Sequence, residues 1–299
     1  MQQDDTMMNR PALVLLVKDV AASRVFYTEI LGFGTRDAGA SEARAVVTDF
    51  SHEDILLAGP DAGDVKEYLQ ERSVTIEPGT MLTFFCPDLD ALQAQLSECG
   101  FTAIQEMETV FGDRALGMRD PDGNILLFTT RSAEDVIERY AQGPRLLDEA
   151  LAGLTEQDFL LAKAPGEWNI QQIVHHVSDG DDLWMHVVKA ALTQPGCHYR
   201  HDWYTTDNAS AEKLHYAGRG IEPALALFRA NHEHTLQLIR HLPAAMKRFV
   251  LFTWPGHDEI PLAVQDILHS QANHAIGHCE EIQQIRSIHG LKASNPEKA

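Results

Sequence analysis

The residues best suited to chemistry are histidines in the second half of the chain. His274 and His278 are four positions apart in a segment whose pattern predicts a helix, so both imidazoles lie on one face, one turn apart. Much earlier, His175 and His176 are adjacent. Because neighbouring helical residues point about 100° apart, only one of that pair can face the same partner. Three imidazoles can hold one divalent cation and leave a coordination position open.

Four helical segments must position these histidines. A helical segment is predicted to begin after Ser132, and Asn169 is predicted to cap the long helix that carries the paired histidines. Residues 221–242 form a third helical stretch. Pro261 fits the first turn of a last helix that runs to about residue 288. An antiparallel, all-α four-helix bundle is the natural architecture.

Two strings in this half, EWNIQQIVHHVSDGDDLW and HSQANHAIGHCEEI, together resemble the DinB/YfiT-like family. Members of that family bind a metal through the second histidine of the paired H-H and both histidines of the late H-x-x-x-H. The resemblance therefore implies His176, His274 and His278 as the ligands of one divalent metal. Imidazole suits several metals, with zinc or nickel expected first and iron(II) or manganese as alternatives.

The other polar residues nearby have more ordinary interpretations. A lone histidine on an apolar helix face is usually a hydrogen-bonded core residue. Asp179, one turn after His176, is a candidate acceptor for the proton of a ligand imidazole. Glu280, two residues after His278, is a weaker candidate for contact with the site. His269 is the best substitute ligand if the register differs.

A divalent ion held by three neutral imidazoles can lower the pKa of bound water or bind a thiol as thiolate. Characterised relatives implied by the resemblance use low-molecular-weight thiols such as bacillithiol or mycothiol. We therefore expect a metal-dependent thiol S-transferase that conjugates a thiol to an electrophile or xenobiotic. Hydrolysis would use the same histidines. The alternative is a non-enzymatic protein that sequesters a drug-like molecule and holds a structural metal.

The first half contains an internal repeat. Residues 17–20 match residues 86–89, and residues 32–33 match residues 100–101, at offsets of 69 and 68. In both copies an aspartate precedes a helix that follows a strand, and a glycine ends the helix. The pattern predicts an α+β domain of duplicated βαβββ modules over residues 1–131, followed by the helical domain over residues 132–299.

This duplication, with the strings VKDVAASRVFYTEILGF and RDPDGNILLF, resembles the vicinal-oxygen-chelate superfamily of glyoxalases, extradiol dioxygenases and bleomycin-resistance proteins. Catalytic members of that superfamily hold a metal with a His or Glu on each of four strands. Those positions fall on Ala12, Leu57, Met81 and Leu127, none of which is a suitable ligand. The domain is therefore predicted to be metal-free and either to bind an organic molecule or to serve as a scaffold or dimerisation module.

Length, charge and cysteine content restrict the number of domains and the kinds of partner that the chain can have. A length of 299 residues favours two domains, and a net charge of −20 would repel the phosphates of nucleic acid. No apolar run approaches the roughly 20 residues that a membrane-spanning helix needs. Four well-separated cysteines are expected to be free thiols in a reducing compartment. We expect a cytoplasmic homodimer with small-molecule partners, including a thiol, and with neither nucleic acid nor membrane as a partner.

Overall fold

The chain divides into two compact units, Met1–Asp135 with Ile239–Arg248, and Val136–Leu238 with Phe249–Ala299. The inclusion of residues 239–248 in the first unit was not predicted from the sequence. The computed structural model describes residues 11, 13–63, 65, 74–101, 104–108, 114–203 and 206–291. For residues 37–40 and 74 it describes the backbone alone.

The first unit is built from two βαβββ modules. The first module comprises β1 (Leu13–Leu16), α1 (Val20–Val25) with a π-helical extension (Phe26–Ile30), β2 (Gly34–Ser41), β3 (Arg44–Thr48) and β4 (Asp54–Ala58). After β5 (Val74–Ile76), the second module comprises β6 (Met81–Phe85), α2 (Leu89–Glu98), β7 (Gln105–Glu108), β8 (Arg114–Arg119) and β9 (Ile125–Thr129).

The two sheets confirm the duplication predicted from the repeat. Their strand orders are β2-β3-β4-β1-β5 and β7-β8-β9-β6, so the four strands of each module are arranged alike. In both sheets the first strand of the module pairs in parallel with its last, β1 with β4 and β6 with β9, while the remaining pairs within each module are antiparallel.

Matching local signals begin and end the two module helices. The Asp19 carboxylate accepts a hydrogen bond from the Ala22 amide at 3.0 Å, and the Asp88 carboxylate accepts one from the Ala91 amide at 2.9 Å. These are N-cap bonds that satisfy amides left unpaired at a helix start. Gly100 follows α2 with φ of 72°, a left-handed conformation in which a side chain would be strained.

The strand register corrects one sequence assignment. Leu57 points into the main core of the unit, and on β9 the core-facing positions are Leu126 and Phe128. Leu127 therefore lies on the opposite face, and its counterpart on β4 is Leu56, which packs in a separate cluster. The assignment of Leu57 was wrong by one residue, because a shift of one position along a strand reverses the face.

With this correction, the four positions implied by the resemblance to the vicinal-oxygen-chelate superfamily are Ala12, Leu56, Met81 and Leu127. Ala12 lies outside the described residues. The other three side chains are aliphatic or a thioether, and none of them is a usual ligand of zinc, nickel, manganese or iron(II).

The loop before β9 bonds the second module to the first. Asp122 accepts hydrogen bonds from the Lys18 amide at 2.7 Å and from the Ser23 hydroxyl at 2.9 Å. The neighbouring Asp120 accepts one from the Tyr27 hydroxyl at 2.6 Å. Both carboxylates are buried, and burial together with the charge of Asp120 raises the pKa of Tyr27 well above its usual value. The DPDG string thus joins the modules as well as turning the chain.

Replacement of Asp122 by alanine should destabilise this unit by about 2–3 kcal/mol, because the buried Ser23 hydroxyl and the partly buried Lys18 amide lose a charged acceptor. Urea denaturation followed by a probe in this unit measures the change. Asp61→Ala, which removes an exposed carboxylate, is the matched control. Equal stability of the two variants would contradict the joining role of Asp122.

The second unit is a helical bundle with a small sheet. It contains α4 (Gly143–Leu151), α5 (Ile170–Thr193), α6 (Asp207–Lys213) and α8 (Val264–Ile288), and most of α3 (Ala133–Ala141) and α7 (Glu222–His241). Buried apolar residues of α4, α5, α7 and α8 share one core, which confirms the predicted four-helix bundle. A three-stranded sheet was not predicted: β10 (His198–Arg200), β11 (Phe249–Thr253) and β12 (Ile260–Ala263).

The ends of the helices confirm some predictions and correct others. Asn169 caps α5 in a full capping box, in which Asn169 and Gln172 exchange side-chain to backbone bonds of 2.9 and 3.1 Å. Pro261 does not start the last helix. It lies in β12 opposite Leu251, and α8 begins at Val264. A proline is tolerated there because β12 is an edge strand. Within the described residues, no helix has the length and apolarity that a bilayer crossing requires.

Candidate metal centre

Three histidine side chains meet between α5 and α8. His176, His274 and His278 each present a ring nitrogen, and these nitrogens all lie within 4.8 Å of one another. The Nε2 atoms of His176 and His274 are 2.8 Å apart. Two imidazoles on one tetrahedral zinc have their nitrogens about 3.3 Å apart, given bonds of about 2.0–2.1 Å. The three side chains can therefore hold one divalent cation after a small adjustment.

Close packing of the two helices brings the rings together. Gly180 lies one turn after His176 on α5, and a Cβ atom at Gly180 would lie 3.4 Å from Cε1 of His274. On α8 the residue next to His274 is the small, buried Ala275. Small residues allow the backbones to approach, and the four-residue spacing of His274 and His278 places both rings on the side that faces α5.

The other histidines with candidate roles have different partners. His175 Nε2 lies 3.1 Å from the carbonyl oxygen of Arg219, and its ring stacks on Tyr216. His269, the suggested substitute ligand, hydrogen-bonds Asn273 on its own helix at 2.9 Å. The geometry therefore selects His176 from the adjacent pair.

Burial keeps two of the three imidazoles neutral. Desolvation, reinforced by His176 and His278, lowers the pKa of His274 to about 3. Desolvation and His278 lower the pKa of His176 to about 4, although Asp207, Asp179 and Glu281 act in the opposite direction. Neutral imidazole is the form that binds metal, so these two ligands are available without loss of a proton near pH 7.

Two of the three rings have a carboxylate near their Nδ1 atom. Glu281 Oε2 lies 2.9 Å from Nδ1 of His278, and Asp207 Oδ1 lies 3.9 Å from Nδ1 of His176. Neither carboxylate was singled out from the sequence. The i, i+3 spacing of His278 and Glu281 is a usable signal, whereas Asp207 reaches the site from a distant segment.

Asp179 and Glu280, the two carboxylates that the sequence suggested as neighbours of the site, have other surroundings. Asp179 pairs with Arg219 at 3.7 Å and influences His176 through its charge. Glu280 is exposed and lines a surface groove with Leu146 and Ile276. A residue two positions along a helix points about 200° away from His278, which explains why the next residue, Glu281, makes the contact instead.

The loop before α5, residues 162–169, also contributes side chains near the cluster. Lys163 Nζ lies 2.9 Å from Oε1 of Glu281, and the Trp168 ring lies edge-on to His176 with ring centroids 4.7 Å apart. A single β-bridge between Ala162 and Asn169 closes this loop. Trp168 therefore contacts a ligand ring directly, a role beyond the packing expected from the sequence.

Family comparison accounts for both halves of the chain. Residues 139–282 match the model of the DinB superfamily, and residues 10–128 match that of the Glyoxalase/Bleomycin resistance protein/Dioxygenase superfamily. The chain joins a glyoxalase/bleomycin-resistance domain to a DinB superfamily domain. The three clustered histidines all fall within the DinB superfamily domain. Among curated proteins, no significant relative was found.

Solved structures resemble one part of the chain or the other. One is YfiT from Bacillus subtilis, which is described as a probable metal-dependent hydrolase with an unusual four-helix bundle topology. It is 22% identical to this chain, and the match covers 54% of this chain and 91% of YfiT with a TM-score of 0.48. TnmS3, an antibiotic binding protein from Streptomyces sp. CB03234, is 20% identical over 41% of this chain and 95% of its own, with a TM-score of 0.31. Lactoylglutathione lyase from Agrobacterium tumefaciens is 14% identical over 38% and 87%, with a TM-score of 0.31.

Removal of one ligand ring should abolish tight metal binding. Loss of a residue that hydrogen-bonds a metal ligand typically weakens metal binding about 10- to 100-fold. We expect His274→Ala, which removes a ligand itself, to weaken zinc or nickel binding by more than that. Chelator competition and elemental analysis measure the loss. His175→Ala is the control, and it should retain the metal because its ring faces Arg219. Full metal occupancy in His274→Ala would exclude the cluster as the binding site.

The depressed pKa values also predict acid sensitivity of the metal-free protein. An unfolded chain protonates these imidazoles as pH falls through about 6.5, whereas the folded chain does so near 4 for His176 and near 3 for His274. The unfolded state therefore binds more protons in that window. The contribution to stability is complete above pH 6.5 and is lost as pH falls towards 4.

We accordingly expect the melting temperature of metal-free protein to fall between pH 7 and pH 5. The fall should be smaller in His274→Gln, which removes one of the titrating rings. Scanning calorimetry on both proteins provides the measurement, and parallel pH profiles would contradict the assignment.

Proposed function

We propose that the DinB superfamily domain is a divalent-metal-dependent enzyme that activates a low-molecular-weight thiol for attack on an electrophile. The observation that supports this proposal is the meeting of three imidazole nitrogens from α5 and α8 within 4.8 Å. A divalent ion held there supplies a Lewis acid that lowers the pKa of a thiol or of water.

The number of protein ligands favours catalysis over a structural role. Structural zinc sites usually have four protein ligands, whereas catalytic sites have three and leave one position open. Among the residues that the structure describes, the cluster contains three ligand side chains and no fourth His, Cys, Asp or Glu. An exogenous group can therefore complete the coordination.

The cysteine nearest in sequence does not supply the reacting sulfur. Cys279 directly follows His278 but is buried beside Leu146 and Ala150 of α4, outside the histidine cluster. Burial, with a smaller contribution from Glu280, raises the pKa of Cys279 to about 11. Because the Cys279 sulfur is not part of the histidine cluster, the proposed nucleophile is a separate thiol molecule.

For the glyoxalase/bleomycin-resistance domain we propose binding of an organic molecule, which would be the electrophile or a drug-like ligand. Its support is the apolar character of Leu56, Met81 and Leu127 at strand positions where catalytic relatives place metal ligands. A ligand bound there should raise the melting temperature of the full chain equally in wild type and in His274→Ala. A shift confined to wild type would place the ligand at the histidines instead.

Metal-loaded protein should conjugate a small thiol, tested as a panel that includes bacillithiol and mycothiol, to a model aromatic electrophile. We expect conjugation to fall to the uncatalysed rate in His176→Ala and to persist in His175→Ala. Chromatography with mass detection identifies the thioether product. Turnover of ester or amide substrates without any thiol would replace the transferase by a hydrolase, the activity suggested for YfiT. Metal binding with no turnover of either kind would favour sequestration.

A further inference from the structure

The carboxylate of Glu281 connects two groups that approach it from different elements. Its Oε2 lies 2.9 Å from Nδ1 of His278, and its Oε1 lies 2.9 Å from Nζ of Lys163. Each oxygen therefore has its own partner, and the carboxylate is held from two sides. The Glu281 side chain is 23% exposed, so most of its surface is shielded from water.

This arrangement decides which nitrogen of His278 is left to bind a metal. A carboxylate without a proton can only accept hydrogen bonds, so Nδ1 of His278 must carry the hydrogen. The lone pair of the neutral ring is then on Nε2. His176 shows the same orientation, because its Nε2 lies 2.8 Å from Nε2 of His274 while its Nδ1 faces Asp207.

The two carboxylates differ in how they act. The contact of Glu281 with His278 is a hydrogen bond between a charged acceptor and a ring N–H. The 3.9 Å separation of Asp207 from His176 exceeds hydrogen-bond length, which leaves the Coulomb interaction. Asp207 is also more than half exposed, so solvent screens that interaction.

We propose that Glu281, held in place by Lys163, is a positioning residue of the metal site that fixes the tautomer and ring orientation of His278 and so strengthens metal binding. The proposal rests on the metal site of the proposed function, but not on the thiol chemistry. A partner that holds the outer N–H of a ligand imidazole reduces the entropy lost on binding and increases the basicity of the ligating nitrogen.

The chain offers a matched control in the adjacent residue. Glu280 carries the same charge on the same helix, one position earlier, but it is exposed and lines the groove beside α4. Glu280→Gln and Glu281→Gln therefore change the net charge identically. A difference between them isolates the contact with His278 from the long-range effect of removing one negative charge.

The experiment measures the affinity of the full chain for Zn²⁺ by chelator competition. We expect Glu281→Gln to weaken binding about 10- to 100-fold. Glu280→Gln should stay within about twofold of wild type, and Asp207→Asn should fall between the two because its effect is screened. Equal affinities of Glu281→Gln and Glu280→Gln would overturn the proposal.

Two further readouts separate positioning from folding. The Co²⁺-loaded protein should show a shifted visible absorption band in Glu281→Gln and an unchanged band in Glu280→Gln, because ligand orientation sets the band. The metal-free melting temperature is recorded for each variant. If Glu281→Gln fails to fold, Lys163→Met serves instead, with a smaller expected loss of affinity. Wild-type affinity in a folded Lys163→Met protein would then overturn the proposal.

Failure of this inference is distinguishable from failure of the proposed function. A wild-type protein that binds Zn²⁺ tightly but conjugates no thiol contradicts the transferase and leaves the role of Glu281 intact. A wild-type protein that binds no Zn²⁺ contradicts both. Tight binding with normal conjugation and no difference between the two glutamate variants contradicts the role of Glu281 alone.

Discussion

The helical domain depends on how closely α5 and α8 approach one another. An imidazole extends only a short distance from its helix, so rings from two helices share an ion only where the backbones are near. Gly180 provides that proximity, since it places bare backbone against the ring of His274. The capping box at Asn169 then sets where α5 begins, and thereby the height of His176 opposite His274 and His278.

The first domain depends on a different constraint, which is the satisfaction of buried charge. Asp120 and Asp122 are both buried, and an unpaired carboxylate there would be costly. Each is compensated by donors that include residues of the first module. Hydrophobic contacts between two similar modules are not directional. The hydrogen bonds of Asp120 and Asp122 are directional, and they help to fix how the two modules are oriented.

Much of this organisation could be predicted from the sequence, because local patterns carry local structure. Offsets of 68 and 69 residues identified the duplicated modules, and Asp19, Asp88 and Asn169 cap helices as expected. The predictions that were wrong concern relations between strands. Leu57 was assigned to the wrong face because register depends on the partner strand, and Pro261 suits the first turn of a helix as well as a sheet edge. Asp207 has no local signal at all, since only the folded chain brings it to His176.

Pro261 also has a consequence for how the protein behaves in a crowded solution. It lies in the outermost strand of the three-stranded sheet, where a free row of amides would offer a template for a strand from another molecule. A proline has no amide hydrogen, so the row is interrupted in the four-residue strand Ile260–Ala263. The residue that misled the helix assignment thus leaves this strand with one amide donor fewer for pairing with another chain.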